Sequence, residues 1–116
     1  MRPYRRRRNT GKPDNTIVKN FIDRLNKAFE NRIRLGIMSA LMVNPSVDFL
    51  TLKELLDVTD GNLASHITAL EKIEYIAVKK EFIGKKTKTT YMATKLGKME
   101  FNHHLKALED LIKHSE

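Results

Sequence analysis

Apolar residues recur at helical spacing in the first part of the chain. One stripe, with intervals of four, three and four residues, predicts an amphipathic helix and contains Val18, Ile22, Leu25 and Phe29. A second helical stripe contains Ile33, Ile37, Met38 and Leu41. This second helix is predicted to end before Pro45, because the residue that precedes a proline avoids helical geometry. A very short strand is predicted over residues 47–49.

Two short helices joined by a polar turn are predicted next. Thr51, followed three residues later by Glu54, forms a capping-box sequence, which predicts the start of the first helix. The second helix is predicted to begin after a cap at Thr59 or Asp60 and to end near Ile73. Its apolar side again has four-three spacing and contains Leu63, Ile67 and Leu70. Two short helices connected by a tight turn are typical of the helix-turn-helix motif.

The hydrophobic period changes after this motif. From Tyr75 to Ile83 the apolar positions roughly alternate, as in a half-buried strand. A lysine-rich turn is predicted over residues 84–88 and β-prone residues follow over 89–92, so we expect a β-hairpin with a basic tip. Thr94 is predicted to cap a final helix, whose apolar stripe contains Phe101, Leu105, Leu108 and Ile112.

This order of elements predicts a mainly α (α+β) fold of the winged helix-turn-helix type. The helix-turn-helix is expected at about residues 51–73, a two-stranded basic wing at about 76–93 and a C-terminal helix at about 94–113. All three belong to one predicted domain over residues 17–116, which is long enough to bury a core of its own.

The charge of the chain indicates a polyanionic partner. The formal net charge is +8, and residues 1–16 hold six basic side chains against one acidic one. Because this segment has almost no apolar residue, burial of apolar surface cannot offset the entropy cost of ordering it. It is therefore predicted to be a flexible arm. One interpretation is that the arm contacts DNA phosphates or a minor groove. The other is that it is a solvated tail. Its arginine run is Arg5, Arg6, Arg7 and Arg8.

The sequence excludes or disfavours several other classes of protein. The chain has no cysteine, which excludes disulfides, thiolate metal sites and cysteine nucleophiles. No apolar run could span a bilayer and no signal peptide is expected, so a cytoplasmic protein without a membrane partner is predicted. No catalytic triad or phosphate-binding glycine loop is recognisable, and we expect neither an enzyme nor a cofactor. Surface histidines rather than metal ligands are expected in the last helix at His103, His104 and His114.

Two segments carry a family resemblance. They are Thr-Asp-Gly-Asn-Leu at residues 59–63, and Thr-Thr-Tyr at 89–91 followed by Thr-x-x-Gly at 94–97. With the sequence around them, from about residue 17 to 113, they resemble the small winged-helix transcriptional regulators related to the MarR and ArsR groups. The resemblance implies a dimeric, DNA-binding regulator without enzymatic activity.

Two features depart from that family. Glu74 stands where the family commonly has glycine, and a glutamate in a left-handed helix cap would cost about 1 kcal/mol. The exposed side of the second helix of the motif also carries few arginines or lysines, which the family often places there. This second departure bears on how tightly the helix reads bases.

The second helix of the motif is the predicted reading helix, because a major groove about 12 Å wide admits one helix. Candidates for base or phosphate contact lie away from its apolar stripe or on the flanks of that stripe: Asn62, Ser65, His66, Thr68, Ala69 and Lys72. Candidates for phosphate or minor-groove contact in the wing are Lys85, Lys86 and Lys88. Alternatively, these are ordinary solvent-facing residues. A protein-interaction module and a nonspecific nucleic-acid-binding protein are the alternative functions.

The first and last helices are the candidate dimer interface. A small monomer cannot easily hide both of their stripes, whereas a second copy would bury them and set two reading helices about 34 Å apart. The interface residues are Val18, Ile22, Leu25, Phe29, Phe101, Leu105, Leu108 and Ile112. Packing of the two helices on each other within one chain is the alternative. The predicted partners are therefore double-stranded DNA and a second copy of the chain, and the sequence identifies no small-molecule effector.

Overall fold

Five α-helices and a three-stranded sheet make up residues 16–114, the part of the chain that this computed structural model describes. The helices are α1 (Thr16–Arg24), α2 (Arg32–Val43), α3 (Phe49–Leu56), α4 (Asp60–Lys72) and α5 (Lys95–His114). The strands are β1 (Val47–Asp48), β2 (Ile76–Ile83) and β3 (Lys86–Ala93), and a short 3₁₀ turn spans Lys27–Phe29. The mainly α winged helix-turn-helix fold is confirmed. The predicted arm, with Arg5, Arg6, Arg7 and Arg8, lies outside the described residues.

The first helix is shorter than its apolar spacing predicted. α1 ends at Arg24, and the Asn26 side chain then accepts a hydrogen bond from the Ala28 amide at 2.9 Å, which caps the separate 3₁₀ turn. Asparagine favours such local bonding over helix continuation. Phe29 therefore leaves the α1 stripe and packs edge-on against Phe101, with 5.2 Å between ring centroids. Both rings were predicted at a dimer interface, but they are core residues of a single chain.

The third helix begins earlier than the capping-box sequence predicted. Asp48, not Thr51, is the N-cap of α3, because its carboxylate accepts a hydrogen bond from the Thr51 amide at 2.8 Å. Thr51 and Glu54 lie inside the helix, so the predicted cap is wrong. The cap forms here because Asp48 ends β1, which pairs with β3 and fixes the entry of the chain into α3.

The wing is a long antiparallel hairpin with a shorter turn than predicted. β2 and β3 pair over eight residues each, from Ile76 opposite Ala93 to Ile83 opposite Lys86. Only Gly84 and Lys85 therefore connect the strands, rather than residues 84–88. Gly84 has φ 66°, a left-handed conformation that glycine adopts without steric cost and that two-residue hairpin turns require. β1 adds to the other edge of β3, so the sheet has the order β1-β3-β2.

The core lies where α2, α3 and α4 meet the base of the sheet. Its largest fully buried side chains are Ile37, Met38, Leu41, Leu52, Leu63 and Leu70. Ile76 at the start of β2 is also buried and belongs to the same cluster. The core therefore holds the helix-turn-helix and the base of the wing in one packed unit.

A tight junction connects α4, the wing and α5. Glu74 adopts the left-handed conformation, with φ 63°, and its carbonyl accepts a hydrogen bond from the Thr94 hydroxyl at 2.6 Å. The same hydroxyl accepts from the Gly97 amide at 2.9 Å, which confirms Thr94 at the start of α5. A side chain at Gly97 would overlap the Tyr75 carbonyl, so only glycine permits this close approach.

Candidate nucleic-acid interface

Helix α4 has one buried face and one exposed face. Thr59, one of the two predicted caps, is its N-cap, and its hydroxyl accepts a hydrogen bond from the Asn62 amide at 3.2 Å. The buried face consists of Leu63, Ile67 and Leu70. Asp57, in the turn before α4, has φ 51°, a conformation that aspartate adopts more readily than most residues. This turn connects α3 to α4, and the polar side of α4 faces solvent.

The predicted contact residues of α4 divide by exposure. Those exposed to solvent are Asn62, Ser65, Thr68 and Lys72. Ala69 and His66 are half-buried, and they lie at the border between the core face and the exposed face. Asparagine, serine, threonine and lysine side chains can all donate hydrogen bonds to base edges or phosphates. The exposed face is therefore chemically suited to a groove of duplex DNA.

His66 is joined to α2 through Arg34, a residue that sequence reasoning missed. The Arg34 Nε donates a hydrogen bond to His66 Nδ1 at 3.1 Å. Partial burial lowers the pKa of His66, and the positive charge of Arg34 lowers that pKa further. The imidazole is then neutral with its proton on Nε2. No local pattern signals this pair, because the two residues are 32 positions apart.

An ion pair reduces the negative charge at the start of α4. Asp60 lies in the first helical turn, where a carboxylate stabilises the positive end of the helix dipole but repels DNA phosphate. Lys53 of α3 places its Nζ 2.7 Å from an Asp60 carboxylate oxygen. Both side chains are exposed, so the pair contributes little to stability. Its local effect is to offset an acidic charge on the helix that is predicted to enter the groove.

The wing distributes its charged and apolar side chains over two faces. Because side chains alternate along a strand and paired residues share a face, Lys79, Glu81 and Ile83 lie on one face. Opposite them on that face are Thr90, Lys88 and Lys86. The other face carries Lys80 and Phe82, opposite Thr89 and Thr87. Lys79 and Glu81 form an ion pair at 3.2 Å, so the acidic residue is confined to the first face.

The three predicted wing lysines have different surroundings. Lys88 lies opposite Glu81 and close enough to Asp48 to lower the pKa of that carboxyl, although the hydrogen bonds from Thr51 lower this pKa more. In residues 16–114, neither Lys85 nor Lys86 takes part in an ion pair. The positive charges of Lys85 and Lys86 at the tip are therefore available to a phosphate, while that of Lys88 is partly offset by the Asp48 carboxylate.

Comparison with protein families agrees with this geometry. A family model described as a winged helix DNA-binding domain matches residues 33–112, which extend from the second residue of α2 through β3 and include most of α5. The chain belongs to the winged helix DNA-binding domain family. α4 and the wing are thus parts of a DNA-binding domain, and the predicted relation to this class of regulator is confirmed at the level of the family.

Individual relatives of this winged helix domain extend over most of the chain. An uncharacterised protein of Methanocaldococcus jannaschii is 32% identical over 90 residues, which cover 78% of this chain and 98% of that protein. The solved structure of a transcriptional regulator homologue from Pyrococcus horikoshii OT3 is 29% identical with a TM-score of 0.74, covering 85% and 96% of the two chains. A MarR-family regulator structure from Enterococcus faecalis V583 shares the fold, with 17% identity, a TM-score of 0.62 and coverage of 90% and 86%.

Outside α4 and the wing, the winged helix domain exposes apolar side chains on α1 and α5. None of the residues in Thr16–Arg24 is buried. The exposed members of the two predicted stripes are Val18, Ile22, Leu105, Leu108 and Ile112, and Leu25 is half-buried. Arg24 and Asp110 form an ion pair at 2.8 Å that holds α1 against α5. The two helices therefore do pack on each other within one chain, yet their contact leaves most of the apolar stripe in solvent.

His104 is buried, contrary to the expectation of a surface histidine. Its side chain is 5% exposed, and Nδ1 accepts a hydrogen bond from the Asn26 amide at 3.0 Å. Burial lowers the pKa of His104, and the nearby Glu30 charge opposes that shift in part. His103, by contrast, is exposed.

Residues 16–114 contain neither a cluster of metal-ligating side chains nor a membrane-spanning helix. No group of three or more histidine, aspartate or glutamate side chains within that range is arranged to hold a metal ion. None of the described helices is both long and apolar enough to cross a membrane.

Proposed function

We propose that the protein is a dimeric transcriptional repressor that reads the major groove of duplex DNA with α4 and contacts phosphate or minor groove with the wing. The observation that carries this proposal is the exposed row of hydrogen-bonding residues on α4 in a member of a DNA-binding family. The same domain carries a basic wing tip, whose Lys85 and Lys86 form no ion pair within residues 16–114. The similar structure from Pyrococcus horikoshii, a transcriptional regulator homologue, supports the regulatory role.

Contacts from α4 supply the sequence preference in this proposal. Asn62 pairs with an adenine edge, while Ser65 and Thr68 bond bases or phosphates. The half-buried Ala69 presents its methyl group to thymine, and Lys72 contacts a phosphate near the end of the helix. His66 contributes through its Nε2 proton, since Nδ1 is already occupied by Arg34. The arginines of the N-terminal arm, Arg5 to Arg8, add phosphate or minor-groove contacts.

A second copy of the chain covers the apolar stripe of α1 and α5. An isolated chain leaves Ile22 and Ile112 more than half exposed, at 53% and 63%. Burial of such side chains against a symmetry-related copy is favourable, and it creates two reading helices related by a two-fold axis. The proposed interface consists of Val18, Ile22, Leu25, Leu105, Leu108 and Ile112.

Repression follows from occupancy of a site that overlaps a promoter. A dimer with two reading helices about one helical turn apart covers one face of the duplex over both half-sites. A bound dimer would exclude polymerase from that face. The expected result is reduced transcription in vitro when the protein's preferred site is placed across a promoter, with full transcription when the site lies far upstream. Increased transcription from the promoter-overlapping template would contradict repression and indicate an activator.

Selection of duplex DNA from a random pool, followed by sequencing, tests sequence-specific reading by the full chain at physiological salt. We expect enrichment of an inverted repeat whose half-sites are about one helical turn apart. Retention of DNA without a motif would indicate nonspecific binding by the arm and wing. Absence of retention would favour a protein-interaction role for the same surface.

A triple variant tests the role of α4 itself. Replacing Asn62, Ser65 and Lys72 by alanine should weaken binding to the selected site and flatten its sequence preference. The matched control removes one serine, one lysine and one asparagine elsewhere on the exposed surface, at Ser46, Lys95 and Asn102. The control should bind as the wild type does. If the α4 variant also retains full affinity and preference, α4 is not the reading helix.

A further inference from the structure

The tip of the wing exposes two large apolar side chains. Phe82 is 82% exposed and Ile83 is 59% exposed, and they directly precede the Gly84-Lys85 turn. An aromatic ring at the end of a projecting hairpin adds nothing to the core of its own chain. It exposes apolar area to water at a cost, which points to a partner that covers the ring.

The side chains near Phe82 favour an anionic partner. Its face of the wing carries Lys80 two residues earlier and Thr87 directly opposite, and the strand pairing places Glu81 on the other face. Lys85 and Lys86, which form no ion pair within residues 16–114, lie at the same tip. The named neighbours of the ring on its own face are thus positive or neutral, and the tip adds further positive charge. Its partner must offer an apolar surface between negative charges.

A DNA minor groove has this chemistry. Its floor and walls present deoxyribose and the edges of stacked bases, and phosphates line both sides. Apolar side chains that enter a minor groove commonly insert at a base step and partly unstack it, which kinks the duplex. Pyrimidine–purine steps, TA and CA/TG, unstack most readily.

We infer that Phe82 is a wedge that enters the minor groove beside the site read by α4 and partly unstacks one base step there. The inference rests on the proposed function, because it requires α4 and the wing to contact one duplex. It assigns Phe82 a role that the wing lysines cannot perform. Lysines set the salt dependence of binding, whereas Phe82 selects a deformable step and bends the DNA.

The test uses the full chain and its selected duplex, with 2-aminopurine replacing adenine at each flanking position in turn. Unstacking raises the fluorescence of this base. We expect wild-type protein to brighten the probe at one flanking step and to bend the duplex, as measured by energy transfer between end labels. Phe82→Ala should abolish both signals and weaken binding on the order of tenfold, the size typical of a lost aromatic contact to a base. The slope of binding against salt should not change, because no phosphate contact is lost.

Ile83→Ala is the matched control, because it removes a neighbouring exposed apolar side chain from the opposite face of the wing. It should retain the bend and the bright probe. Equal affinity, bend and fluorescence for Phe82→Ala and wild type would overturn the wedge while leaving the proposed function intact. If wild-type protein binds no duplex, the proposed function itself fails. Phe82-dependent binding to anionic lipid vesicles in that case would identify a membrane surface as the partner and would equally overturn the wedge.

Discussion

Arg34 donates a hydrogen bond from Nε to Nδ1 of His66 at 3.1 Å, and so connects α2 to the helix that is proposed to read DNA. The bond exists only while Nδ1 is unprotonated. Burial and the Arg34 charge both lower the pKa of His66, so both favour the bonded state. Protonation of the His66 imidazole would therefore break the hydrogen bond that connects α2 to one flank of α4.

The Arg34 charge should be measurable as its own contribution to the pKa of His66. We expect Arg34→Met, which keeps a long apolar stem but removes the charge and the donor, to raise this pKa toward the ordinary histidine value. The rise should be incomplete, because burial is the larger cause of the lowering. NMR titration of the ring protons measures it. The pKa of His104 serves as the control, since Arg34 is not among the causes of its shift. A His66 pKa that does not rise would contradict the electrostatic role of Arg34.

The stability of the fold should fall as the solution is acidified through the histidine range. His104 has a pKa below its ordinary value of 6.5 in the folded chain, so the unfolded chain binds more protons as the pH falls below that value. The contribution of neutral His104 to the free energy of unfolding has its full value above about pH 6.5, and it decreases as the pH falls toward the lower pKa of the folded chain. The pKa of His66 is also lowered, so His66 contributes with the same sign. Thermal unfolding at pH 7.5 and pH 5.5 should therefore give a lower Tm at the lower pH.

Two variants distinguish the contribution of His104 to the pH dependence of Tm from that of the other titratable groups. His104→Asn places an amide oxygen near the position of Nδ1, so it can still accept the Asn26 hydrogen bond but does not titrate. We expect this variant to show a smaller loss of Tm between the two pH values than the wild type. His103→Asn, one residue earlier and exposed, should lose as much Tm as the wild type. An equal loss for all three proteins would show that His104 does not contribute to the pH dependence.

The sequence predicted those features that local patterns determine. The four-three spacing of Leu63, Ile67 and Leu70 identified the core face of α4. Residue type and position predicted the cap at Thr94 and narrowed the cap of α4 to Thr59 or Asp60. These features depend on helix geometry and on bonds between residues that are close in the chain. The exposed face of α4 followed from its buried face at Asn62, Ser65 and Lys72, whereas Ala69, predicted away from the apolar stripe, is half-buried.

Features that depend on distant contacts were missed or misplaced. Asp48 and Thr51 both carry a side-chain oxygen that could cap α3. Asp48 is the N-cap because β1, which it ends, pairs with β3 more than forty residues away and fixes where the helix begins. Phe29 continued the α1 spacing by coincidence, while α1 ends at Arg24 and Asn26 caps the separate 3₁₀ turn that contains Phe29. Burial of His104 requires the Asn26 amide, 78 positions away. None of these contacts has a signal in a window of neighbouring residues.

Glu74 should carry strain that glycine would relieve. It adopts φ 63°, where a Cβ atom costs on the order of 1 kcal/mol. We expect Glu74→Gly to raise the free energy of unfolding by about 1 kcal/mol or less, because the greater freedom of glycine in the unfolded chain offsets part of the gain. Urea denaturation measures the change as a shift in midpoint. Glu74→Ala removes the same charge but keeps Cβ, so it should not stabilise, and equal stabilisation by both would attribute the effect to charge.

The wing lysines should differ in their contribution to the salt dependence of DNA binding. The slope of log affinity against log salt changes by about 0.9 for each phosphate contact. We expect the double variant Lys85→Ala, Lys86→Ala to reduce the slope by about 2. Lys88→Ala should reduce it less, because the Asp48 carboxylate already offsets part of that charge. Lys98→Ala, an exposed lysine on α5, is the control and should leave the slope unchanged. A slope unaffected by the double variant would show that the wing does not contact phosphate.

The apolar stripe of α1 and α5 should determine the oligomeric state. Ile22 is 53% exposed on a helix with no buried residue, so a glutamate there costs the single chain little but places a charge in the proposed interface. We expect sedimentation equilibrium at micromolar concentration to give a dimer mass for the wild type and a monomer mass for Ile22→Glu. Val43→Glu introduces the same charge at an 80% exposed apolar position on α2, away from the stripe, and should remain dimeric.

The Ile22 variant should also lose affinity for a two-half-site duplex far more than for a single half-site, because only a dimer engages both halves at once. A dimeric Ile22→Glu protein would place the interface elsewhere, and a monomeric wild type would remove the dimer from the proposed function.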